Sequence, residues 1–440
     1  MNFLFRFITI LLLGIFSGSA QTISHQKIDD FINYIEKNNR AIGSVSIYKN
    51  GKELYYRDFG QQNLPEINSD KNTKYQIGSI TKMVTATLIF KLIEDKQLQL
   101  DDKLSTFFPD MPNADKISIL HLLNHTSGLG DVNFKDGTSK WLKEKKETNE
   151  AILNQIKQQG VLFEAGEDQF YSNSAYYLLG KILEIKHQKK YHEIVECYIA
   201  KPLALENFQS AGAHPENIFP SYQFKNNQWQ VAQDFVFENV IAFGDISATT
   251  TDMNTFINAF FQYKIINEEN VNVMKPKEKE YLGSGLTRPS FYNIELYGHG
   301  GDTNGSHSLL VYDEKNNLSI AIATNGNRSV KNDLYKGILG ALYDINIMYP
   351  LFIEDEILNQ YIGVYSAPDY PFKIKITNEG GALYGKGLAE NQISFLLKPK
   401  SATVFDCEGT LQAEFKTDKK QMLFTESGEV FEFTKEEMDY

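Results

Sequence analysis

The strongest constraint on this chain is an apolar helix that follows a serine and a lysine. Residues 83–90 (MVTATLIF) are apolar on nearly every face, which is typical of a helix buried inside a large domain. Ser79 and Lys82 come just before this segment, and a spacing of three places both side chains on one helix face. The positive end of the helix dipole favours an anion at Ser79, and burial lowers the pKa of a lysine. The pattern therefore predicts a nucleophilic Ser79 whose proton Lys82 can accept.

The Ser-x-x-Lys spacing alone carries little weight, because short motifs often recur by chance. A second copy, Ser24 and Lys27, lies at the start of a predicted helix over residues 24–39. The apolar residues of that helix recur on one face only, which is typical of a surface helix. The hypothesis for Ser79 therefore depends on other segments of the chain.

Residues 1–20 are predicted to be a secretory signal peptide. One positive charge, Arg6, precedes an apolar run over residues 8–16, and small residues precede Gln21. The run is too short to span a bilayer, and no cysteine follows it to support a lipoprotein anchor. We therefore expect a periplasmic or secreted protein whose mature chain has no membrane span.

Charge and cysteine content exclude some classes of function. The formal net charge of −12 argues against a nucleic-acid-binding surface. Cys197 and Cys407 are the only cysteines, so no disulfide framework is predicted, and we expect two unpaired, buried thiols. His121 and His125 lie four apart on a predicted helix, but no third ligand is evident nearby. No metal and no cofactor are therefore predicted.

The order of elements predicts an α+β domain over residues 21–345. A hairpin turns at residues 50–51, because Asn-Gly between alternating strands is a strong hairpin signal. Two strands return over residues 308–312 and 318–324, joined through residues 313–317, and a helix follows over residues 330–344, so the two ends of the domain can form one antiparallel sheet. A largely helical region, residues 79–261, is inserted between them.

A second domain is predicted over residues 351–440. Short alternating runs recur there about every ten residues, which is typical of a small antiparallel barrel or sandwich. The predicted strands cover residues 361–366, 372–377, 382–386, 393–397, 403–405, 412–416, 421–425 and 429–434. We predict a β-barrel-like (lipocalin-like) domain that shapes the entrance of a cleft or mediates assembly.

Further segments contain the residue types of a catalytic site. Tyr171 and Asn173 stand just before a predicted helix, and residues 299–301 (HGG) stand before a predicted strand. Adjacent glycines suit an edge where a ligand must approach the backbone closely. Residues 122–129 (LLNHTSGL) close another predicted helix.

Taken together, these segments resemble a known family. Three of them resemble the active-site elements of the serine β-lactamase and penicillin-binding-protein superfamily: Ser79-x-x-Lys82, Tyr171-x-Asn173 and His299-Gly300-Gly301. The set is most similar to the class C branch, which includes DD-peptidases, D-aminopeptidases and esterases. Residues 122–129 and 244–249 (GDISAT) also resemble family segments. The resemblance covers roughly residues 28–344 and implies a β-lactamase/transpeptidase-like fold, an antiparallel sheet flanked by helices.

The resemblance implies a serine hydrolase that acts through an acyl-enzyme. Ser79 would attack a carbonyl, and Lys82 and Tyr171 would carry its proton to the leaving group. A phenol normally titrates near ~10, so Tyr171 would need a neighbouring cation to ionise. Whether Lys82 or Tyr171 is the general base stays open at this point.

The resemblance also implies the substrate-binding residues Asn173, His299, Gly301 and Asp302. Asn173 would hydrogen-bond the substrate and Lys82. The backbone N–H groups of Ser79 and Asp302 would form an oxyanion hole, in which each donor contributes ~3–4 kcal/mol.

One position departs from β-lactamases and many DD-peptidases, which carry Lys-Thr-Gly where this chain has residues 299–301. A mostly neutral His299 and a glycine would bind a substrate carboxylate less well. We therefore expect hydrolysis of a peptide bond, D-residue-containing peptides included, or of an ester. A β-lactamase is the second enzymatic alternative, and a penicillin-binding sensor or scaffold is the non-catalytic one. The expected partner is a small-molecule or peptide substrate, and oligomerisation through the C-terminal domain is a further option.

Overall fold

The computed structural model describes residues 24–64, 70–132, 141–225, 228–328, 331–347, 349–390, 392–407 and 411–437. The predicted signal peptide, residues 1–20, lies outside the described residues. Within that part of the chain, no helix has the length and apolar character that a bilayer crossing requires.

The described elements fall into a helix-rich domain and a strand-rich domain. The helices are α1 (His25–Lys37), α2 (Thr81–Glu94), α3 (Ile119–Leu123), α4 (Trp141–Glu144), α5 (Asn149–Gln159), α6 (Asn173–His187), α7 (Tyr191–Val195), α8 (Thr250–Phe261), α9 (Glu268–Met274), α10 (Lys331–Leu342) and α11 (Asp355–Leu358). The strands of the first domain are β1 (Ala41–Lys49), β2 (Lys52–Phe59), β3 (Tyr75–Gln76), β4 (Phe208–Ser210), β5 (Tyr222–Lys225), β6 (Gln228–Val231), β7 (Ile246–Ala248), β8 (Ser290–Phe291), β9 (Ile294–Glu295), β10 (Tyr297–Asp302), β11 (His307–Asp313) and β12 (Leu318–Asn327). The strands of the second domain are β13 (Gly363–Ser366), β14 (Ile374–Glu379), β15 (Ala382–Gly387), β16 (Ser394–Pro399), β17 (Val404–Asp406), β18 (Gln412–Lys416), β19 (Gln421–Glu426) and β20 (Glu429–Lys435).

The central sheet joins the two ends of the first domain, as the sequence predicts. Its antiparallel order is β10-β11-β12-β1-β2. The β1–β2 hairpin turns at Asn50 and Gly51, both with positive φ (52° and 74°), which Asn and Gly tolerate best. Strand β5 joins β12 in parallel at the Tyr222–Gly326 pair, so the sheet is mixed.

Helices cover both faces of this sheet. Helices α1 and α10 pack on one face, where Phe31 is fully buried and its ring fills the space beside Gly337. Helix α8 and the inserted helical region cover the other face around the largest apolar core. Helix α2 lies inside that core and is buried on all sides over most of its length. The expected sheet flanked by helices is confirmed, and it is antiparallel except where β5 joins β12.

The inserted region contains two short strands, β4 and β7, that the sequence pattern does not predict, and they pair with β3, which lies in the strand-like stretch predicted just before Ser79. Strands β3, β7 and β4 form a small sheet, in which β7 lies between the other two. All residues of β7 are buried, so it lacks the alternation of apolar and polar residues that marks a strand with one exposed face. These strands are also too short for a periodic pattern to develop.

Strands β13–β20 form a closed antiparallel barrel around a separate apolar core. The Tyr365–Lys435 and Ser366–Thr434 pairs between β13 and β20 close it. Of the two predicted alternatives, the barrel is therefore confirmed and the sandwich is not. The ends of each predicted strand lie within two residues of the ends of an observed strand. The predicted domain boundaries at residues 345 and 351 stay predictions.

The two domains meet through arginine side chains. Arg328 donates from Nη2 to Asp355 Oδ2 at 2.6 Å, and on its own domain its guanidinium lies 3.5 Å from the centre of the Phe224 ring. Arg40 lies over Phe352 at 4.3 Å. Buried or half-buried ion pairs and cation–π contacts restrain the relative orientation of two domains more strongly than exposed ion pairs do.

Both cysteines are free thiols, as expected. Cys407 is buried in the barrel, and burial raises the pKa of its thiol to about 12. The expectation of a buried thiol is wrong for Cys197, which is exposed on the turn after α7. Sequence composition does not indicate which face of that short segment meets solvent.

Candidate active site

Ser79 lies in a single helical turn, Gly78–Ile80, between β3 and α2. Strand β3 is held by β7, and Ile77 N–H donates to Ile246 O at 3.0 Å. Gly78 has φ of +53°, a conformation that glycine adopts at little cost. The turn therefore delivers Ser79 to the start of a buried helix, as the sequence predicts.

Lys82 is fully buried in the first turn of α2. Its Nζ donates to Ser79 Oγ at 3.2 Å, to Asn173 Oδ1 at 2.8 Å and to Phe243 O at 2.8 Å. Burial lowers the pKa of Lys82 to about 7, and the nearby Asp131 opposes this shift. A neutral amine beside the Ser79 hydroxyl can accept its proton.

One group outside the predicted motifs, the Phe243 carbonyl, helps to fix the position of the Lys82 amine. The Phe243 carbonyl belongs to a loop that Asp245 holds, because its carboxylate accepts from Ala242 N–H at 2.9 Å and Ser210 Oγ at 2.5 Å. Burial raises the pKa of Asp245 to about 6. The sequence signal for this loop is only the family-like segment of residues 244–249.

Asn173 lies at the start of α6, and the Asp131 carboxylate holds its carboxamide in place. Asp131 Oδ2 accepts from Asn173 N–H at 2.7 Å and from Asn173 Nδ2 at 3.1 Å. This arrangement turns Asn173 Oδ1 toward Lys82. Asp131 is buried, and no sequence motif identifies it as part of the site.

Tyr171 lies above the Lys82 amine, with Nζ 4.7 Å from the ring centre. Within the described part of the chain its buried hydroxyl has no hydrogen-bond partner. Two effects act on the pKa of this hydroxyl: burial raises it, and the nearby Ser79 lowers it. Burial is the larger effect and raises the pKa of Tyr171 well above its usual value. Tyr171 is therefore a neutral phenol at physiological pH.

His125 packs against Tyr171 and holds the backbone beside it. The two rings stack with centres 4.6 Å apart, and His125 Nδ1 accepts from Ser172 N–H at 3.1 Å. Burial and the neighbouring Lys82 hold the pKa of His125 well below its usual range, so it stays neutral. Among the described residues, no cluster of His, Cys, Asp or Glu side chains could hold a metal ion.

Strand β10 lies directly against the Ser79 turn. A Cβ on Gly301 would lie 1.9 Å from Ile77 O, and a Cβ on Gly78 would lie 2.9 Å from Asp302 N. Only glycine at both positions allows this approach. The backbone N–H groups of Ser79 and Asp302 therefore lie at the same edge of the site.

His299 is buried on the same strand, with its ring centre 6.1 Å from that of Tyr171. Burial, together with Lys82, lowers the pKa of His299 to about 4. Its Nδ1 lies 2.5 Å from Gly300 O, so in the neutral ring Nδ1 carries the proton and Nε2 is an acceptor.

The Asp302 carboxylate lies at the rim of the site. It pairs with Lys331 and with His307 Nδ1, the latter at 2.7 Å. These partners lower its pKa to about 2 against the effect of burial. The carboxylate therefore stays ionised, and its charge is balanced.

The structure brings together every residue that the sequence predicts for the site: Ser79, Lys82, Tyr171, Asn173, His299, Gly301 and Asp302. Their catalytic and binding roles stay predictions. Sequence reasoning missed Asp131 and Phe243 as contributors and included His125 only as part of the segment 122–129, because each acts through a contact with a residue far away in sequence.

The chain is similar in sequence to a known protein family and to a named hydrolase. The sequence model of the Beta-lactamase family matches residues 28–344. A teichoic acid D-alanine hydrolase from Staphylococcus aureus (strain MRSA252) is 25% identical over 325 residues, which are 72% of this chain and 78% of that protein.

Solved structures extend the similarity to the fold. The D-amino acid amidase from Ochrobactrum anthropi SV3 superposes with a TM-score of 0.61 at 25% identity, over 71% of this chain and 97% of that one. The octameric penicillin-binding protein homologue from Pyrococcus abyssi has a TM-score of 0.66 at 23% identity. The superposition covers 92% of this chain and 99% of the Pyrococcus abyssi chain. The shared architecture therefore reaches into the C-terminal barrel.

The glycines of β10 provide a test of the close approach between this strand and Ser79. Gly301→Ala should displace Asp302 N–H from the Ser79 turn and lower kcat/KM about 10²-fold, the effect of losing one oxyanion donor. Gly300→Ala is the matched control, because its Cβ would come no nearer than 3.7 Å to Ser308 O. Ester hydrolysis and thermal unfolding are measured on both, and equal losses of activity in the two variants would contradict the assignment.

Proposed function

Because this chain belongs to the Beta-lactamase family, we propose that it hydrolyses esters or amides of D-amino acids through an acyl-enzyme on Ser79. The observation that carries the proposal is the buried Lys82 amine, 3.2 Å from Ser79 Oγ and with a pKa of about 7. One relative is named a teichoic acid D-alanine hydrolase and another a D-amino acid amidase. Both names include a D-amino acid, which supports this substrate class.

In the first step, neutral Lys82 accepts the Ser79 proton while Ser79 Oγ forms a bond to the substrate carbonyl carbon. The carbonyl oxygen becomes an oxyanion, which the N–H groups of Ser79 and Asp302 stabilise. Lys82 is favoured over Tyr171 as the base, since burial lowers the pKa of Lys82 and raises that of Tyr171.

In the second step, the bond to the leaving group breaks and the leaving group takes a proton. The Tyr171 hydroxyl can donate its own proton to the leaving group and accept one from Lys82, and it stays neutral at the end of the transfer. The product is an ester of Ser79. Water then attacks this ester, Lys82 accepts the water proton, and Ser79 Oγ leaves with a proton to restore the enzyme.

The charges of the site favour substrates without a carboxylate next to the scissile bond. His299 is neutral because its pKa is about 4, so it adds no positive charge to the site. Lys331 already pairs with the Asp302 carboxylate. A β-lactam carboxylate would find little charge complementarity here, which places β-lactam hydrolysis behind hydrolysis of D-aminoacyl esters and amides.

The two Ser-x-x-Lys copies provide a matched test of the nucleophile. A fluorophosphonate should add once to the wild-type protein, and Ser79→Ala should abolish both the adduct and the hydrolysis of D-alanine p-nitrophenyl ester. Ser24→Ala should retain both, because Ser24 caps α1 and accepts from Lys27 N–H.

The L-alanine ester and a chromogenic cephalosporin complete this comparison, and we expect the D-ester to be hydrolysed fastest. Turnover that survives in Ser79→Ala would remove Ser79 as the nucleophile. Acylation by the cephalosporin without turnover of any ester would instead support a penicillin-binding sensor.

The pKa of Lys82 predicts the pH dependence of the reaction. Because the neutral amine is the active form, kcat/KM should rise between about pH 6 and pH 8 with an apparent pKa near 7. Lys82→Arg should abolish this activity, since a guanidinium stays charged, whereas Lys27→Arg should leave the profile unchanged. A rising limb near pH 10 would contradict the proposal, because it would indicate Tyr171 or an unshifted lysine as the base.

We also propose that the chain is exported through residues 1–20 and acts in the periplasm or outside the cell. A mature protein that begins at Gln21 is the expected result of N-terminal sequencing after expression with the full leader. An unprocessed Met1 would contradict this location.

A further inference from the structure

A polar cleft of about 680 Å³ lies between the first domain and the barrel. We call it the junction cleft. The first domain contributes residues 222–225 of β5, Asn304 and Gly305 between β10 and β11, His307 at the start of β11, and Asn327. The barrel side contributes Asp355, Asn359 and residues 378–381. Its volume lies in the range of small-ligand sites, about 300–1,000 Å³.

The junction cleft begins close to the reacting atoms. Asp302 N lies against Gly78, the residue before Ser79. Asn304 follows Asp302 by two residues, a reach of at most ~7 Å along the chain. His307 contacts the Asp302 carboxylate directly, at 2.7 Å. A substrate whose carbonyl lies at Ser79 can therefore extend into the cleft.

The charges of the cleft walls are largely balanced. Asp355 pairs with Arg328 at 2.6 Å, and His307 pairs with Asp302. Lys225 and Glu379 carry opposite charges on the two walls. The cleft therefore offers little net attraction to an anionic or a cationic group.

Carboxamides and aromatic rings make up much of the remaining lining: Gln223, Asn304, Asn327, Asn359 and Asn378, with Tyr222 and Phe224. A carboxamide both donates and accepts hydrogen bonds, as a hydroxyl group does. Small-ligand sites commonly combine apolar and aromatic surface with a few placed polar groups. This lining matches an uncharged ligand rich in hydroxyl groups.

The barrel carboxamides are held in place by the protein itself. Asn378 Oδ1 accepts from Gly381 N–H at 3.0 Å, and Asn378 Nδ2 donates to Asn359 Oδ1 at 2.9 Å. Asn359 is exposed, and no described residue accepts from its Nδ2. That N–H group is therefore free to donate to a ligand.

We propose that the junction cleft binds the uncharged, hydroxyl-rich part of the substrate, a sugar or polyol chain that carries the D-aminoacyl group. This inference rests on the proposed function for the position of the scissile bond. It gives the barrel a role in substrate choice, because the barrel supplies one wall of the cleft.

A comparison of esters tests the proposal in the full-length chain. Two D-alanyl esters share the scissile bond: the methyl ester, and an ester on an uncharged oligosaccharide or polyol oligomer. In the double variant Gln223→Ala/Asn359→Ala, the ratio of kcat/KM for the long ester to that for the short ester should fall about tenfold, the effect of losing two hydrogen bonds. Gln392→Ala, an exposed carboxamide on the barrel away from the cleft, should keep the wild-type ratio.

A binding measurement distinguishes a failure of the cleft proposal from a failure of the proposed function. The Ser79→Ala protein is titrated calorimetrically with an N-acetylhexosamine tetramer and with a glycerol oligomer, and the double variant should weaken binding about tenfold. Binding of one probe alone identifies the ligand as sugar or polyol. Binding that depends on Gln223 and Asn359 in a protein that hydrolyses neither ester would overturn the proposed function and leave the cleft assignment standing. An unchanged ester ratio together with no binding of either probe would overturn the cleft assignment.

Discussion

The burial of one amine governs this active site. Lys82 lies inside the apolar core on α2, and its Nζ is held between Ser79 Oγ, Asn173 Oδ1 and the Phe243 carbonyl. A charged amine is costly in such surroundings, so its pKa falls to about 7. The same burial keeps Tyr171 neutral. The sheet, the inserted helices and the fixed loops around Lys82 together create this environment, and the proposed chemistry depends on all of them.

The second Ser-x-x-Lys copy shows that the motif acquires chemistry only from its surroundings. Ser24 caps α1 at the surface, and the Lys27 side chain is about half exposed and pairs with Asp344. Ser79 and Lys82 have the same spacing, but Lys82 is fully buried. Motif counting treats the two copies alike, whereas desolvation separates them, because exposed lysines keep a solvated charge.

The barrel is a separate apolar unit that nevertheless borders the active-site end of the first domain. Its strands close around their own core, and the Arg328–Asp355 pair joins it to the loop after β12. This arrangement places barrel carboxamides across a cleft from the segment that follows β10. The proposed role of the barrel in substrate choice depends on this placement.

The sequence alone determined the local features: the Asn-Gly hairpin, the barrel strands and the choice of candidate site residues from Ser79 to Asp302, which the fold brings together. These follow from periodicity, turn chemistry and short motifs, which are properties of neighbouring residues. Only the tertiary structure decided the pKa values, the support from Asp131, His125 and Phe243, the short buried strand β7 and the exposure of Cys197. Burial and contact depend on which distant segments pack together. Segments that lie far apart in the chain, such as residues 82 and 243, carry no local pattern that records their meeting.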